Sequence, residues 1–259
     1  MSEPTQTTTD SRPELAVYWQ PGCSSCLKTK EFLTELGYEF ESVNVLERTG
    51  ALDELSAAGF LGVPVVRKGA TYIYAQSLDD VAALVGATRQ DKGLPPDELA
   101  TRWDEVLHKA QQIIESFDTD TLDREVIPSR PRSVRQLCSH VFQIVESFLR
   151  QLEDDSIDAR AIYLDPRDDL KSRQQLIDYI SSTYAEYREW LAGNGYAAMP
   201  DKLRTYYGQQ PSTIVLERSV WHATQHVRQL DHVAAGIGEE LRVPDRLYAG
   251  LPLPQRLWA

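Results

Sequence analysis

The chain has 259 residues, enough for two domains, and its 42% hydrophobic and 25% charged residues exclude disorder over most of its length. Lys and Arg number 27 against 39 Asp and Glu, a formal charge of −12 that argues against nucleic-acid backbones and anionic lipid as partners. Mean hydropathy is −0.40, and no apolar run approaches the roughly 20 residues of a membrane span.

Residues 1–13 are polar and Thr-rich and lack the basic and apolar blocks of a secretion signal, so a disordered lead-in is expected there. The three cysteines, two of them in Cys23-Ser24-Ser25-Cys26, fit a redox pair in a reducing cytoplasm better than a secreted disulfide framework. Residues 14–87 read as a small α/β domain of order β-α-β-α-β-β-α. Strands are expected over residues 15–19, 40–45, 63–66 and 71–74, and helices over 28–36, 52–58 and 78–85. Gly37 closes the first helix, and Ser77 caps the last, with Asp79 and Asp80 in its first turn. Residues 88–97 form a linker, broken by Gly93 and Pro95-Pro96. Beyond it the strand signals stop. Helical periods over residues 97–117, 133–152, 169–191 and 211–236 predict a four-helix bundle within residues 98–259. An irregular tail, rich in proline, begins at Arg242.

Cys23 follows a strand and a Pro-Gly break and opens a helix. Unpaired N–H groups and the positive end of the helix dipole favour thiolate there, and thiolate is the attacking species. Lys28 and Lys30 lie close in sequence and would add to this effect. Cys26, one turn on, is placed to resolve a mixed disulfide. A zinc half-site and two inert thiols are the alternatives, although a zinc site wants a second Cys or His pair, which this domain lacks.

The five histidines all lie after the linker. His222 and His226 are spaced i, i+4, which stacks both rings on one helix face as half a metal site. Spacing alone also allows a chance pair on a solvated helix. His140, on the second predicted helix, converges with them only if the two helices are neighbours. Gln225 and Gln229 flank the pair and read as surface or packing residues, with support of the histidines or contact with substrate as the alternative. Glu146 reads as solvated, Cys138 as a small buried hydrophobe, and Tyr206-Tyr207-Gly208 as a candidate pocket mouth.

The segment from Val17 through Pro21-Gly22-Cys23-Ser24-Ser25-Cys26 to Gly37, with Gly62-Val63-Pro64, resembles a glutaredoxin domain of the thioredoxin fold. The resemblance implies that Pro64 is cis beside the cysteines, that the backbone of Val63 pairs with a bound thiol such as glutathione, and that Leu78 and Asp79 hold the thiol's carboxylate. The segment departs from the family pattern at Ser24-Ser25, and at Ala75-Gln76 in place of a Gly-Gly turn. Residues 98–238, on Arg132-Ser133-Val134, Leu137, His140, and His222-x-x-x-His226-x-x-Gln229-Leu230, resemble the DinB/YfiT-like family. That likeness implies a four-helix bundle, a metal at His140, His222 and His226 (zinc first, nickel or iron as alternatives) and a homodimer.

Together the two likenesses imply a cytoplasmic, metal-dependent enzyme using a low-molecular-weight thiol, glutathione or an analogue, as cosubstrate. It would act as an S-transferase or isomerase on a small electrophile, or on a small disulfide. The alternatives are a thiol-disulfide oxidoreductase whose bundle only holds metal or recognises a partner, and a non-catalytic metal or redox sensor.

Overall fold

The computed structural model describes residues 13–91, 93–127, 130–239 and 243–258. Almost all of the expected lead-in, and Arg242 at the head of the tail, lie outside them. The first unit runs β1 (Leu15–Trp19), α1 (Ser24–Glu35), β2 (Glu41–Asn44), α2 (Ala51–Ala57), β3 (Val65–Lys68), β4 (Thr71–Tyr74) and α3 (Leu78–Val85). Its four strands form one mixed sheet of order β2-β1-β3-β4, with β1 parallel to β2 and antiparallel to β3. This is a thioredoxin-like α/β arrangement. The alternation of β1 divides the core. Leu15 and Val17 face α1 and α3 with Leu33, Val81 and Val85, while Ala16 and Tyr18 face α2 with Val43 and Leu55.

The strand expected from residue 63 begins at Val65. Pro64 has no N–H for a ladder, its bond to Val63 is cis, and its carbonyl accepts the Ala75 N–H at 3.0 Å. The helix expected from residue 28 starts at Ser24, because Cys23 serves as its N-cap. It ends at Glu35, with Leu36 as C-cap and Gly37 at φ +79°, where the Tyr38 N–H returns to the Leu33 carbonyl.

The second part is largely helical: α4 (Pro96–Ser116), α5 (Thr119–Asp123), α6 (Val134–Glu153), α7 (Ala159–Leu164), α8 (Arg173–Ala192) and α9 (Ser212–Gly236). The four long helices pack in a ring, α4 on α9, α9 on α6, α6 on α8 and α8 on α4. Trp103, Phe142, Phe148 and Tyr187 fill the centre of their common core. Ser133 and Gln136 close a capping box on α6, and Ser172 and Gln175 close one on α8. The α8 box moves the start expected at residue 169 to Arg173, while Asp169 instead pairs with Arg167 at 2.9 Å.

The expectation that strands end at the linker is corrected by two short ribbons. One pairs β5 (Glu125–Ile127) with β6 (Arg130–Ser133), and the other pairs β7 (Lys202–Thr205) with β8 (Gly208–Pro211). Neither carries a strand's alternation, because β6 is Arg-Pro-Arg-Ser and the second ribbon buries only Leu203 and Gln210. Among the described residues no helix is long and apolar enough to cross a membrane.

Candidate redox and three-histidine site

Cys23 and Cys26 are joined in a disulfide, with their Cα atoms 5.2 Å apart. Cys23 is half-buried and Cys26 fully buried, so the first sulfur is the one a substrate reaches. The Cys26 N–H donates to Cys23 Sγ at 3.1 Å, placing that sulfur on the unpaired amides of the first turn of α1. The two lysines expected to act on Cys23 have other partners. Lys28 lies 3.9 Å from Glu35, and the Lys30 ammonium sits 3.5 Å over the Trp19 ring.

The three histidines come from two packed helices. α6 supplies His140, and α9 supplies His222 and His226. Their candidate ligand nitrogens all lie within 4.8 Å of one another. The orientation of His226 is traceable through the C-terminal tail. The Leu257 carbonyl can only accept, so it fixes the amide of Gln229 by taking its Nε2–H at 2.8 Å. Gln229 Oε1 must then accept from His226 Nδ1, 2.7 Å away. That leaves the lone pair of His226 Nε2 facing His222 Nε2 at 3.2 Å. Gln225 holds the same tail through the Leu257 carbonyl at 2.8 Å, so of the readings open for the two glutamines both are buried and pack against the tail, and Gln229 also supports His226.

This set fits a divalent metal. Metal–nitrogen bonds of about 2.0–2.1 Å in a tetrahedral site put two ligand nitrogens about 3.3 Å apart, close to the observed pair. Burial, with the neighbouring His226 next, drives the His222 imidazole well below its ordinary pKa and keeps it in the neutral form that ligates. Three imidazoles leave one position open, the pattern of reactive rather than structural sites.

Cys23 and the three histidines line one cavity of about 420 Å³ at the junction of the two parts. Val63 and Pro64 are on its wall; Leu78 and Asp79 are not. Leu78 is buried in the sheet core, and Asp79 lies 3.8 Å from Arg89, so the wall near α3 passes instead through Gln76. Arg132, Arg160, Arg218, Tyr163 and Tyr206 are also on the cavity wall. Sequence reasoning gave no role to Arg218, although it stands four residues before His222 and hence on the face of α9 that carries both histidines. Tyr206, read as a pocket-mouth residue, does reach the cavity, where its ring meets Tyr74 of β4 at 5.1 Å. Glu146 is not simply solvated, because it accepts from the Tyr179 hydroxyl at 2.7 Å. Cys138 is buried, and desolvation pushes its thiol pKa up, so it is inert.

The glutaredoxin family model matches residues 15–73. The glutaredoxin-like protein NrdH of Salmonella typhimurium is 40% identical over 55 residues, which are 21% of this chain and 68% of that protein. The chain belongs to the glutaredoxin family. No solved structure matches it. The glutaredoxin match ends short of α3 and of the helical part, so it covers the Cys23-Cys26 side of the cavity and not the histidine side. The glutaredoxin domain carries a thiol-disulfide oxidoreductase site at Cys23 and Cys26.

Proposed function

We propose that the protein is a metal- and thiol-dependent enzyme, a low-molecular-weight-thiol S-transferase or isomerase whose glutaredoxin domain exchanges disulfides with the same small thiol. The observation that carries this reading is the single cavity lined by Cys23 on one side and His140, His222 and His226 on the other. Two unrelated reagents would not need a common chamber. The four-helix ring and the placement of the three histidines on α6 and α9 support the DinB-like reading of residues 98–238.

In the redox half, the Cys23 thiolate attacks one sulfur of a small disulfide and expels a thiolate. The Cys26 thiolate then attacks Cys23 Sγ of the mixed disulfide and expels the second, leaving the Cys23–Cys26 bond. Two electrons pass from the protein to the substrate, and two small thiols leave. The backbone of Val63, next to Pro64, would pair with the bound thiol, a role supported by its place on the cavity wall. In the histidine half, His140, His222 and His226 would hold the divalent metal, zinc first and nickel or iron as alternatives. When bound, it supplies the charge that keeps a small thiol as thiolate near neutral pH. Gln229 keeps His226 in the tautomer that faces the cavity.

Glutathione or an analogue is the proposed cosubstrate. The test pairs metal analysis with two assays, reduction of a small disulfide and conjugation of a small thiol to an electrophile. Loss of conjugation in His226→Ala with disulfide reduction retained supports two chemistries in one chain. If Cys23→Ser abolishes all turnover while His226→Ala leaves it intact, the transferase reading fails.

A further inference from the structure

The cavity has a second polar feature that disulfide exchange does not use. Among the residues on its wall the charged ones are Arg132, Arg160, Arg218 and a single carboxylate, Asp165. This positive lining sits inside a chain of formal charge −12. Arg218 is 7% exposed, and among the described residues no carboxylate pairs with it. Its Nε and Nη2 both donate to one neutral acceptor, Gln76 Oε1, at 2.9 and 2.6 Å. The rings of Tyr163 and Tyr207, each 5.8 Å from its guanidinium, supply only the partial charge of their faces. A buried guanidinium without a counter-charge is costly, and such groups persist where an anion completes them.

The placement is specific. Gln76 occupies the turn before α3 where the glutaredoxin pattern has glycine, and it spends its side-chain oxygen on orienting an arginine from the other part of the chain. Arg160 is anchored by donating to the Leu61 carbonyl beside Val63, 6.0 Å from the Tyr206 ring. Planar, always-charged forks suit a carboxylate better than any neutral group. A cleft in which three arginines face a single carboxylate also raises the local concentration of anions.

We infer that the cavity selects small thiols and disulfides that carry a carboxylate, anchored by Arg218 with Arg132 and Arg160 beside it. The inference rests on the reading that disulfide exchange takes place in this cavity. It deepens that reading by assigning the substrate's carboxylate to arginines of the helical part, in place of Leu78 and Asp79, which are not on the cavity wall.

The test uses the full-length protein with Cys23 and Cys26 reduced. It is mixed with dithiodiglycolate or with the neutral amide of the same disulfide. The rate constant for forming the Cys23–Cys26 bond is read by acid quench, alkylation and mass spectrometry. The readout is the ratio of the two rate constants, so a general loss of reactivity cancels. The wild type prefers the dianion, and Arg218→Gln lowers the ratio by about tenfold or more, the loss of one charge-assisted contact. Arg218→Lys, which keeps the charge and loses the fork, lowers it less. Because Arg218 is buried, Arg132→Gln and Arg160→Gln provide a second route, each lowering the ratio severalfold. A wild type without preference, or the same ratio in the wild type and all of these variants, overturns the inference while leaving disulfide exchange intact. Failure of both disulfides to oxidise the protein overturns the exchange reading and this inference together.

Discussion

Arg218, in the helix that carries two of the three histidines, reaches across the junction and donates twice to Gln76, at 2.9 and 2.6 Å, one residue before the N-cap of α3. The contact ties the histidine side of the cavity to the cysteine side through two buried side chains. Gln76→Ala removes the acceptor and strands the guanidinium. The expected loss of stability is about 1–3 kcal/mol, measured by urea unfolding, and Gln76→Glu, which keeps an acceptor, loses less.

A second tie runs beside it. Arg89, just after α3, donates two hydrogen bonds to Glu217 at 2.6 and 2.8 Å, and the two side chains are 6% and 8% exposed. Removing Glu217 takes both hydrogen bonds from Arg89 and leaves it only the longer contacts to Asp79 and Asp91, each at 3.8 Å, at a cost of about 1.5–3 kcal/mol. Glu217→Ala is expected to split the unfolding of the two parts into separate calorimetric transitions. A single transition with an unchanged midpoint would mean that the pair does not couple them.

The path from Leu257 through Gln229 to His226 predicts how metal affinity responds at a distance. Gln229→Ala frees the imidazole to adopt the other tautomer and is expected to weaken divalent-metal binding by about 10–100-fold in a chelator competition. Removing residues 254–259 deletes the Leu257 carbonyl, so it is expected to weaken binding in the same direction. It also releases α1, where Glu31 accepts the Gln255 N–H at 2.8 Å. Unchanged affinity in both variants would remove the tail from the site.

Acid sensitivity should reside partly at Glu54. Burial alone would raise its pKa, but hydrogen bonds from Tyr18 and Tyr72, followed by the charge of Arg48, outweigh it and hold the carboxyl below its ordinary range. A depressed folded-state pKa contributes stability that is present above the unfolded value, about 4.3, and is lost as pH falls through the folded value. Glu54→Gln is therefore expected to have a lower Tm than the wild type at neutral pH. The gap should close as the pH is taken below about 4. A gap independent of pH would assign the effect to packing.

Much of this was legible in the sequence because it is local. The bounds of β1, β4 and α3 follow from alternation and from the Ser77 cap, whose oxygen accepts the Asp80 N–H at 3.2 Å. The i, i+4 spacing of His222 and His226 likewise needs only the helical period. Their meeting with His140 needed the packing of α6 on α9, which no local signal contains. Whether Gln225 and Gln229 support the histidines, pack or face solvent is not settled by local sequence, because the tail segment that buries them, at Leu257, lies 32 and 28 residues away. Arg218 was passed over for a related reason, since its partner Gln76 is in the other half of the chain. The two ribbons were missed because their residues pair across turns without presenting an apolar face.

The most direct test of the central claim asks whether the three-histidine site takes a small thiol. Protein carrying Cys23→Ser and Cys26→Ser is loaded with cobalt(II), titrated with 2-mercaptoethanol and then with glutathione, and followed by absorption spectroscopy. The account predicts one cobalt per chain and a thiolate-to-cobalt charge-transfer band that grows with added thiol and is absent in His226→Ala. Cobalt that fails to bind, or a bound cobalt whose spectrum ignores both thiols, would contradict it.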